Sequence, residues 1–272
     1  MSPEDFERLQ ALMASRAGVR LPRERRQLAE HRLGPVARAA GHGSVDEMLA
    51  ALWSRPVASL GWAVIEALLN GESWFRRDRQ PFEVLAGELL PALSRARNGA
   101  PVKVWSAGCA TGQEPYSVAI AALELGTPVE ITATDLSGRA LEKARAGAYT
   151  GFEIQRGLSA RTMLNWFERA EDVWVARPEL KAAVEFERGN LLDEPGAEAP
   201  RFDVIFCRHV ISDLTPEARG RVLDGLEQRL VDDGCLFLGP DERPDGDTVA
   251  FRPVSGRRGL YVKAPTSLRR AA

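Results

Sequence analysis

The chain has few of the side chains that most often bind structural metals or form disulfides. It contains three cysteines and three histidines in 272 residues. Cys109, Cys207 and Cys235 include no C-x-x-C pair, and the histidines show no ligand spacing among themselves or with the cysteines. An odd number of cysteines, two of them within apolar runs, is typical of reduced thiols. The sequence therefore predicts neither a disulfide framework nor a metal site.

Long apolar runs and a strong net charge are also missing. No stretch approaches the roughly 18 apolar residues of a membrane span. The first five residues, MSPED, include two acids and do not resemble a secretory signal. The formal net charge is −2, which excludes a global attraction to nucleic acid. Together with the reduced thiols, these absences predict a cytoplasmic protein with no membrane insertion and no nucleic-acid partner.

Apolar periodicity divides the chain into two parts. The N-terminal quarter shows four stripes at helical spacing, whereas strand-like runs alternate with helical patterns in the remainder. Such alternation is typical of a doubly wound parallel sheet, so we expect an α/β protein. The predicted boundaries are a helical domain over 1–75, a linker and connecting helix over 76–100, a second domain over 101–264 and a tail over 265–272.

The predicted strands are short and mostly buried. A separate alternating stretch near 172–178 indicates a small hairpin arm, and residues 250–254 and 259–263 predict closing antiparallel strands. The runs that predict the parallel sheet are Val102–Trp105, Val129–Ala133, Val184–Phe186, Phe202–Cys207 and Gly234–Leu238.

One turn carries most of the functional information. The first strand leads into a small-residue turn with Gly108 and Gly112, a helical pattern follows, and the next strand ends in Asp135. This order is typical of a nucleoside-binding crevice, in which glycines permit close approach of the backbone and the acid accepts the ribose hydroxyls. Two simpler interpretations stay open: an ordinary strand-to-helix turn, and an acid that caps the next helix.

The turn favours a cationic ligand over a dinucleotide. Its G-x-x-x-G spacing differs from the G-x-G-x-x-G fingerprint that places a pyrophosphate at a helix N-terminus. Glu114 lies where it would repel a phosphate and attract the amino group of a methionine tail. The pattern therefore predicts S-adenosylmethionine (SAM) as the ligand. An acid here also suits the first turn of a helix, and the two roles are compatible.

Arginine is concentrated between Arg16 and Arg38. This segment contains seven arginines and only two glutamates. A solvated helix face is one interpretation, and a docking surface for an acidic protein partner is the other. Pro35, preceded by glycine, predicts a break in the helix, because proline lacks the backbone donor and clashes with the preceding turn.

Three longer motifs resemble one known family. They are Trp105–Ser117 (WSAGCATGQEPYS), Phe202–Arg208 (FDVIFCR) and Gly234–Gly239 (GCLFLG), and they resemble the CheR-type chemotaxis receptor methyltransferases. The resemblance covers nearly the whole chain. It implies an N-terminal helical domain and a doubly wound, Rossmann-like SAM-binding domain with a small antiparallel β-subdomain near 165–185. It also implies methyl transfer from SAM to glutamate side chains on the cytoplasmic helices of chemoreceptors, with S-adenosylhomocysteine (SAH) as the product.

The resemblance also implies site residues. Glu114 would hold the SAM amino group, Asp135 the ribose, and Arg76 would reach the reaction centre and orient the incoming carboxylate. The positions implied to contact the donor are Asn70, Glu72, Arg76, Ala107, Gly108, Glu114, Asp135, Asn190, Leu191, Arg208 and His209. Of these, Asn190 and Leu191 would lie beside the adenine.

Some positions depart from the family pattern. Glu72 stands in place of threonine, His209 in place of asparagine, and Asp213 in place of a tyrosine. Asp213 is therefore a second candidate catalytic residue, in addition to Arg76. Two additional acids would repel a carboxylate, so either they point away, or the acceptor is not glutamate, or transfer is impaired. The arm over 167–173 is short, which predicts no tether to a C-terminal pentapeptide of the receptor.

Three functions are compatible with the sequence. The first is a protein-glutamate O-methyltransferase, which needs no general base because a glutamate of pKa about 4.3 is already ionised at neutral pH. The second is methyl transfer to an amine, whose cation Glu72 and Asp213 would bind and whose proton they would take. The third is a SAM-binding signalling module without catalysis.

Overall fold

The structure, a computed structural model, describes residues 1–244, 246 and 248–264. These residues divide into two units. One comprises Met1–Asn70 together with Asp213–Arg219, and the other comprises the remaining described residues from Gly71 onward. The predicted tail over 265–272 lies outside the described residues. No described helix is both long and apolar enough to cross a bilayer.

Four helices form most of the helical unit. Serine side chains begin two of them: Ser2 accepts a hydrogen bond from the Asp5 amide and Ser44 from the Glu47 amide, each at 3.1 Å. Such caps satisfy backbone donors that the first turn leaves unpaired. The helices are α1 (Pro3–Ala17), α2 (Arg26–Ala39), α3 (Val45–Ser54) and α4 (Ala58–Leu68).

The predicted break at Pro35 is wrong. Helix α2 continues through the proline to Ala39. Leu33 and Ala37 on its inner face are buried, whereas Pro35 is exposed. Burial of the apolar face therefore outweighs the lost backbone hydrogen bond, in keeping with the rule that tertiary packing stabilises most protein helices. The arginine-rich segment is nevertheless not one helix, because it also includes the end of α1 and a 3₁₀ turn at Arg23–Arg25.

Replacing Pro35 with alanine should stabilise the protein. The change restores a backbone donor inside α2 at an exposed position, so packing is hardly altered. We expect the free energy of unfolding to rise by about 1–2 kcal/mol, less than the ~3 kcal/mol cost of a mid-helix proline because alanine also loosens the unfolded chain. Urea unfolding measures this; His31→Ala, exposed on the same helix, is the control. An unchanged midpoint for Pro35→Ala would contradict the expectation.

The second unit is built on a seven-stranded sheet of order β6-β2-β1-β7-β8-β10-β9. Strands β6, β2, β1, β7 and β8 run parallel, and β10 pairs antiparallel with β8 and β9. This confirms the predicted doubly wound α/β fold. The strands are β1 (Val102–Ala107), β2 (Val129–Asp135), β6 (Val184–Arg188), β7 (Phe202–Phe206), β8 (Leu230–Phe237), β9 (Phe251–Pro253) and β10 (Leu260–Lys263).

A separate antiparallel sheet has the order β3-β5-β4. The predicted hairpin arm corresponds to β4 (Phe167–Ala170) and β5 (Val173–Ala176), and β3 (Ala148–Thr150) completes the sheet. Three residues are too few for a periodicity signal, so β3 was not predicted. The remaining helices are α5 (Gln80–Val84), α6 (Leu90–Ala96), α7 (Gln113–Leu125), α8 (Gly138–Ala146), α9 (Gly151–Gln155), α10 (Ala160–Trp166), α11 (Pro178–Ala182) and α12 (Pro216–Arg229).

The order of the large sheet reverses next to β1. The chain passes from β1 to β2 and β6 on one side, and then crosses to β7 on the other side of β1. In open α/β sheets, ligands bind outside the carboxyl ends of the strands at such a switch point. The topology therefore predicts a ligand-binding site among the residues that follow β1, β2, β6 and β7.

Candidate donor-binding site

The turn after β1 requires glycine at two positions. Gly108 and Gly112 have φ of +80° and +92°, a region that side chains with a Cβ rarely adopt. A Cβ on Gly108 would lie 2.7 Å from Cγ2 of Val210, and one on Gly112 would lie 2.9 Å from Cβ of Ala144. The turn is thus shaped by neighbours that approach its backbone closely, as well as by its own dihedral angles.

Asp135 is directed at this turn. One of its carboxylate oxygens accepts the Ala110 amide at 2.8 Å, and the other accepts the Ser137 amide at 2.8 Å. The N-cap of α8 is Ser137, whose hydroxyl accepts the Ala140 amide at 3.2 Å. Asp135 is therefore not the cap of that helix, which removes the simpler interpretation. Its position beside the glycine turn is the one expected for an acid that accepts ribose hydroxyls.

Glu114, in the first turn of α7, is joined to Arg208 after β7. Its Oε1 accepts the Ser106 hydroxyl at 2.8 Å, and its Oε2 accepts Nη1 of Arg208 at 3.1 Å. The Arg208 side chain is only 1% exposed, and its Nη2 also donates to Oδ2 of Asp78 at 2.6 Å. One buried guanidinium thus lies between two carboxylates.

His209 extends the same cluster. Its Nε2 lies 2.8 Å from Oδ2 of Asp78, and its backbone has a φ of +59°. Its amide donates to the carboxylate of Glu242 at 2.7 Å. Sequence reasoning missed both Asp78 and Glu242. Asp78 lies in a run of charged residues that resembles a solvated surface, and nothing in the local pattern around Glu242 distinguishes it.

Arg76 is placed differently from Arg208. The ring of the preceding Phe75 is fully buried, with centroid distances of 5.0 Å to Tyr149 and 5.5 Å to Phe167. The Arg76 side chain then turns to Glu124, with Nη2 3.5 Å from Oε2. Glu124 is ten residues beyond Glu114 along α7, a rise of about 15 Å. The structure therefore does not bring the Arg76 guanidinium to the Glu114–Arg208 cluster.

The Glu72 carboxylate has a cationic partner. Both Nη atoms of Arg156 lie 3.2 Å from its Oε1. The Trp74 ring is stacked between the guanidinium carbons of Arg77 and Arg156, at 4.0 and 3.7 Å from the ring centroid. Burial lowers the pKa of Arg77. The acid that departs from the family pattern is thus paired within this arginine–tryptophan stack.

Asn70 and Asp213 belong to the helical unit, where they meet. Nδ2 of Asn70 lies 3.4 Å from Oδ2 of Asp213, although 143 residues separate them in sequence. The Asp213 carbonyl also accepts the Arg20 amide at 2.8 Å. The other predicted site residues belong to the α/β unit.

Asn190 and Leu191 line a cavity of about 260 Å³. Trp105, Thr134 and Val222 contribute to its wall, and the indole Nε1 of Trp105 donates to Oγ1 of Thr134 at 2.9 Å. The side-chain oxygen of Asn190 also accepts the Leu192 amide at 3.1 Å, as in a strand-end turn. Charged residues line the cavity as well, namely Glu187, Arg188, Asp193, Glu194 and Arg229. Its combination of an aromatic ring, aliphatic side chains and polar groups suits an aromatic base.

None of the three cysteines is a candidate catalytic nucleophile. Cys109, Cys207 and Cys235 are all buried, and burial raises the thiol pKa of each, to about 12 for Cys235. Thiols in this state are protonated at neutral pH and unreactive. Covalent catalysis through these cysteines is therefore not part of the site's chemistry.

Known proteins show which family this sequence resembles. The family described as CheR methyltransferase, SAM binding domain, matches residues 71–260. The chain is 31% identical to the chemotaxis protein methyltransferase Cher2 of Pseudomonas putida, over 96% of this chain and 98% of that protein. It is 34% identical to the chemotaxis protein methyltransferase of Vibrio parahaemolyticus, over 97% of this chain and 98% of that protein. The chain belongs to the CheR family of SAM-dependent methyltransferases.

Glu114→Gln tests the acid at the start of α7. Loss of its charge should weaken SAH binding by about 1–3 kcal/mol, the range for a hydrogen bond to a charged group. Glu124→Gln, at the opposite end of the same helix, is the matched control and should leave the affinity unchanged. Titration calorimetry with SAH measures both variants. Wild-type affinity in Glu114→Gln would remove the assigned role.

Proposed function

We propose that this protein is a cytoplasmic SAM-dependent protein-glutamate O-methyltransferase that acts on chemoreceptor-like signalling proteins. The observation that supports the donor in this proposal is the cluster near the switch point, where Glu114 and Asp78 share the guanidinium of Arg208. The names of the relatives, which are chemotaxis protein methyltransferases, support the kind of acceptor.

The residues at the switch point fit the donor. Glu114 would bind its amino group, Asp135 its ribose, and the cavity lined by Asn190 and Leu191 its adenine. Gly108 allows the turn to lie against Val210, because no Cβ stands between them. When bound, SAM supplies a methyl group activated by a positively charged sulfur.

The acceptor requires little chemistry from the protein. A glutamate carboxylate is ionised at neutral pH, so the protein needs only to align it and exclude water, which can be worth about 7–11 kcal/mol of the barrier. Glu72 need not repel this carboxylate, because Arg156 already pairs with it. Its pairing supports the interpretation that this acid points away from the substrate.

We place the role of orienting the acceptor on Arg76. Its contact with Glu124 is a partly exposed ion pair, with side-chain exposures of 29% and 42%. Such pairs contribute about 0–1 kcal/mol, so the guanidinium can leave Glu124 at little cost. The Arg76 amide donates to Oγ of Ser117 at 2.9 Å, three residues from Glu114 along α7, so the side chain can turn from there towards a carboxylate beside the donor. Arg77 is the competing candidate, since Nη2 of Arg208 donates to its carbonyl at 2.8 Å.

Substituting each arginine separately should decide between them. Arg76→Ala is expected to lower kcat by roughly 100-fold or more, the typical loss for one group that stabilises the transition state. Arg77→Ala should have a smaller effect, and Arg79→Ala, an exposed neighbour, should have none. Steady-state methyl transfer at saturating SAM measures the three variants. A larger loss in Arg77→Ala would transfer the role to that residue.

Contact with the receptor is assigned to the exposed part of the segment Arg16–Arg38. Arg26 and Arg32 are used internally, since they donate to the carbonyls of Met1 at 2.6 Å and Leu69 at 3.1 Å. Arg20, Arg23, Arg25 and Arg38 are exposed and can face an acidic helix, and the ion pair that Arg23 makes with Glu7 is long, at 4.0 Å. We propose no tether to a receptor pentapeptide.

Transfer of labelled methyl groups tests the reaction itself. The protein is incubated with labelled SAM and peptides from cytoplasmic receptor helices, each with a matched peptide whose glutamates are glutamines. The expected product is label on the glutamate peptide alone, released as methanol in mild alkali. Alkali-stable label would indicate an amine acceptor instead. SAM binding without labelled product from any receptor fragment would indicate a signalling module.

A further inference from the structure

Glu242 is a buried acid whose carboxylate is bound entirely by backbone amides within the described part of the chain. The residue is 5% exposed. Its Oε2 accepts the amides of His209 and Gly239, both at 2.7 Å, and its Oε1 accepts the amide of Ser212 at 3.0 Å. A buried carboxylate with three backbone donors is strongly held, because each charge-assisted hydrogen bond compensates part of its desolvation.

The three donors come from two different loops. His209 and Ser212 follow β7, and Gly239 follows β8. A Cβ on Gly239 would lie 2.8 Å from Oε2 of Glu242, so the acid fills the space that a side chain there would need. The carboxylate thus holds the loop over 207–212 to the neighbouring strand end. It also stabilises the left-handed backbone of His209, which a non-glycine residue adopts only at a cost.

Val210 lies inside the loop that Glu242 holds. A Cβ on Gly108 would be 2.7 Å from Cγ2 of Val210, so this side chain packs directly on the glycine turn. The residue at the other end of the loop, Arg208, donates to Glu114. The same short loop therefore supplies both the apolar cover of the turn and the cationic partner of the acid.

We infer that Glu242 is a positioning residue of the donor site. Its carboxylate fixes the loop over 207–212 so that Val210 covers Gly108 and Arg208 reaches Glu114. Glu242 touches neither donor nor acceptor; it acts through the backbone of this loop. The inference rests on the proposed location of the donor at this turn.

Glu242→Gln is the direct test. The amide oxygen can still serve two of the backbone donors, but the amide nitrogen then faces a third donor, so the loop loses one of its attachments. We expect SAH affinity to fall at least tenfold in calorimetry at a temperature well below the unfolding midpoint. Asp241→Asn is the matched control, since the Asp241 side chain is 86% exposed, and it should bind SAH as the wild type does. Affinity equal to wild type in Glu242→Gln, with or without a lower midpoint, would leave the acid a purely structural role.

A double substitution tests whether Glu242 acts through the loop. Val210→Ala should weaken SAH binding about threefold, and Glu242→Gln/Val210→Ala should bind no more weakly than Glu242→Gln alone, because residues that act as a unit are not additive. Independent, multiplying effects would overturn the inference. If Glu242→Gln fails to fold, Val210→Ala decides alone: a weakened affinity supports the loop's role, and an unchanged affinity overturns it. Absence of SAH binding by the wild-type protein would refute the proposed function instead.

Discussion

The buried guanidinium of Arg208 is the interaction on which the candidate site depends. Its side chain is 1% exposed, and a buried charge costs several kcal/mol unless it is paired and hydrogen-bonded. Glu114 at the start of α7 and Asp78 in the segment before α5 provide that pairing. These two carboxylates and one guanidinium carry a formal charge of −1, and the neighbouring Arg77 guanidinium interacts with all three of them. In the proposed function, Glu114 is the member of this cluster that binds the cationic amino group of the donor.

The parts of the fold that local patterns determine were predicted well. Strand β1 begins at the predicted Val102 and extends only two residues beyond Trp105, because an apolar run bounded by turn residues is a local signal. Asp135 was predicted from its place at a strand end, and the structure puts it at the glycine turn. Strand β3 and the continuity of α2 through Pro35 were missed. Both depend on packing partners outside the local segment, β5 for β3 and α3 and α4 for α2, and these partners outweigh local propensity.

The roles of the charged residues in the site were harder to predict from the sequence, for the same reason. Arg76 and Asp78 lie in one charged run, yet Arg76 pairs with a partly exposed glutamate while Asp78 pairs with a buried arginine 130 residues away in sequence. Glu242 is likewise 33 residues from the His209 amide that it accepts. A single sequence shows the charges but not their partners. The partner decides whether a charge is solvated, structural or part of the site.

Glu72 and Asp213, the two acids that depart from the family pattern, therefore differ in how well their charges are compensated. Glu72 is compensated by Arg156, and the tryptophan stacked between Arg156 and Arg77 holds this arrangement in place. A paired acid exerts a much weaker field on an incoming carboxylate than an isolated one. Among the residues that the structure describes, Asp213 contacts the amide of Asn70 rather than a cation, and its charge is not neutralised by that contact.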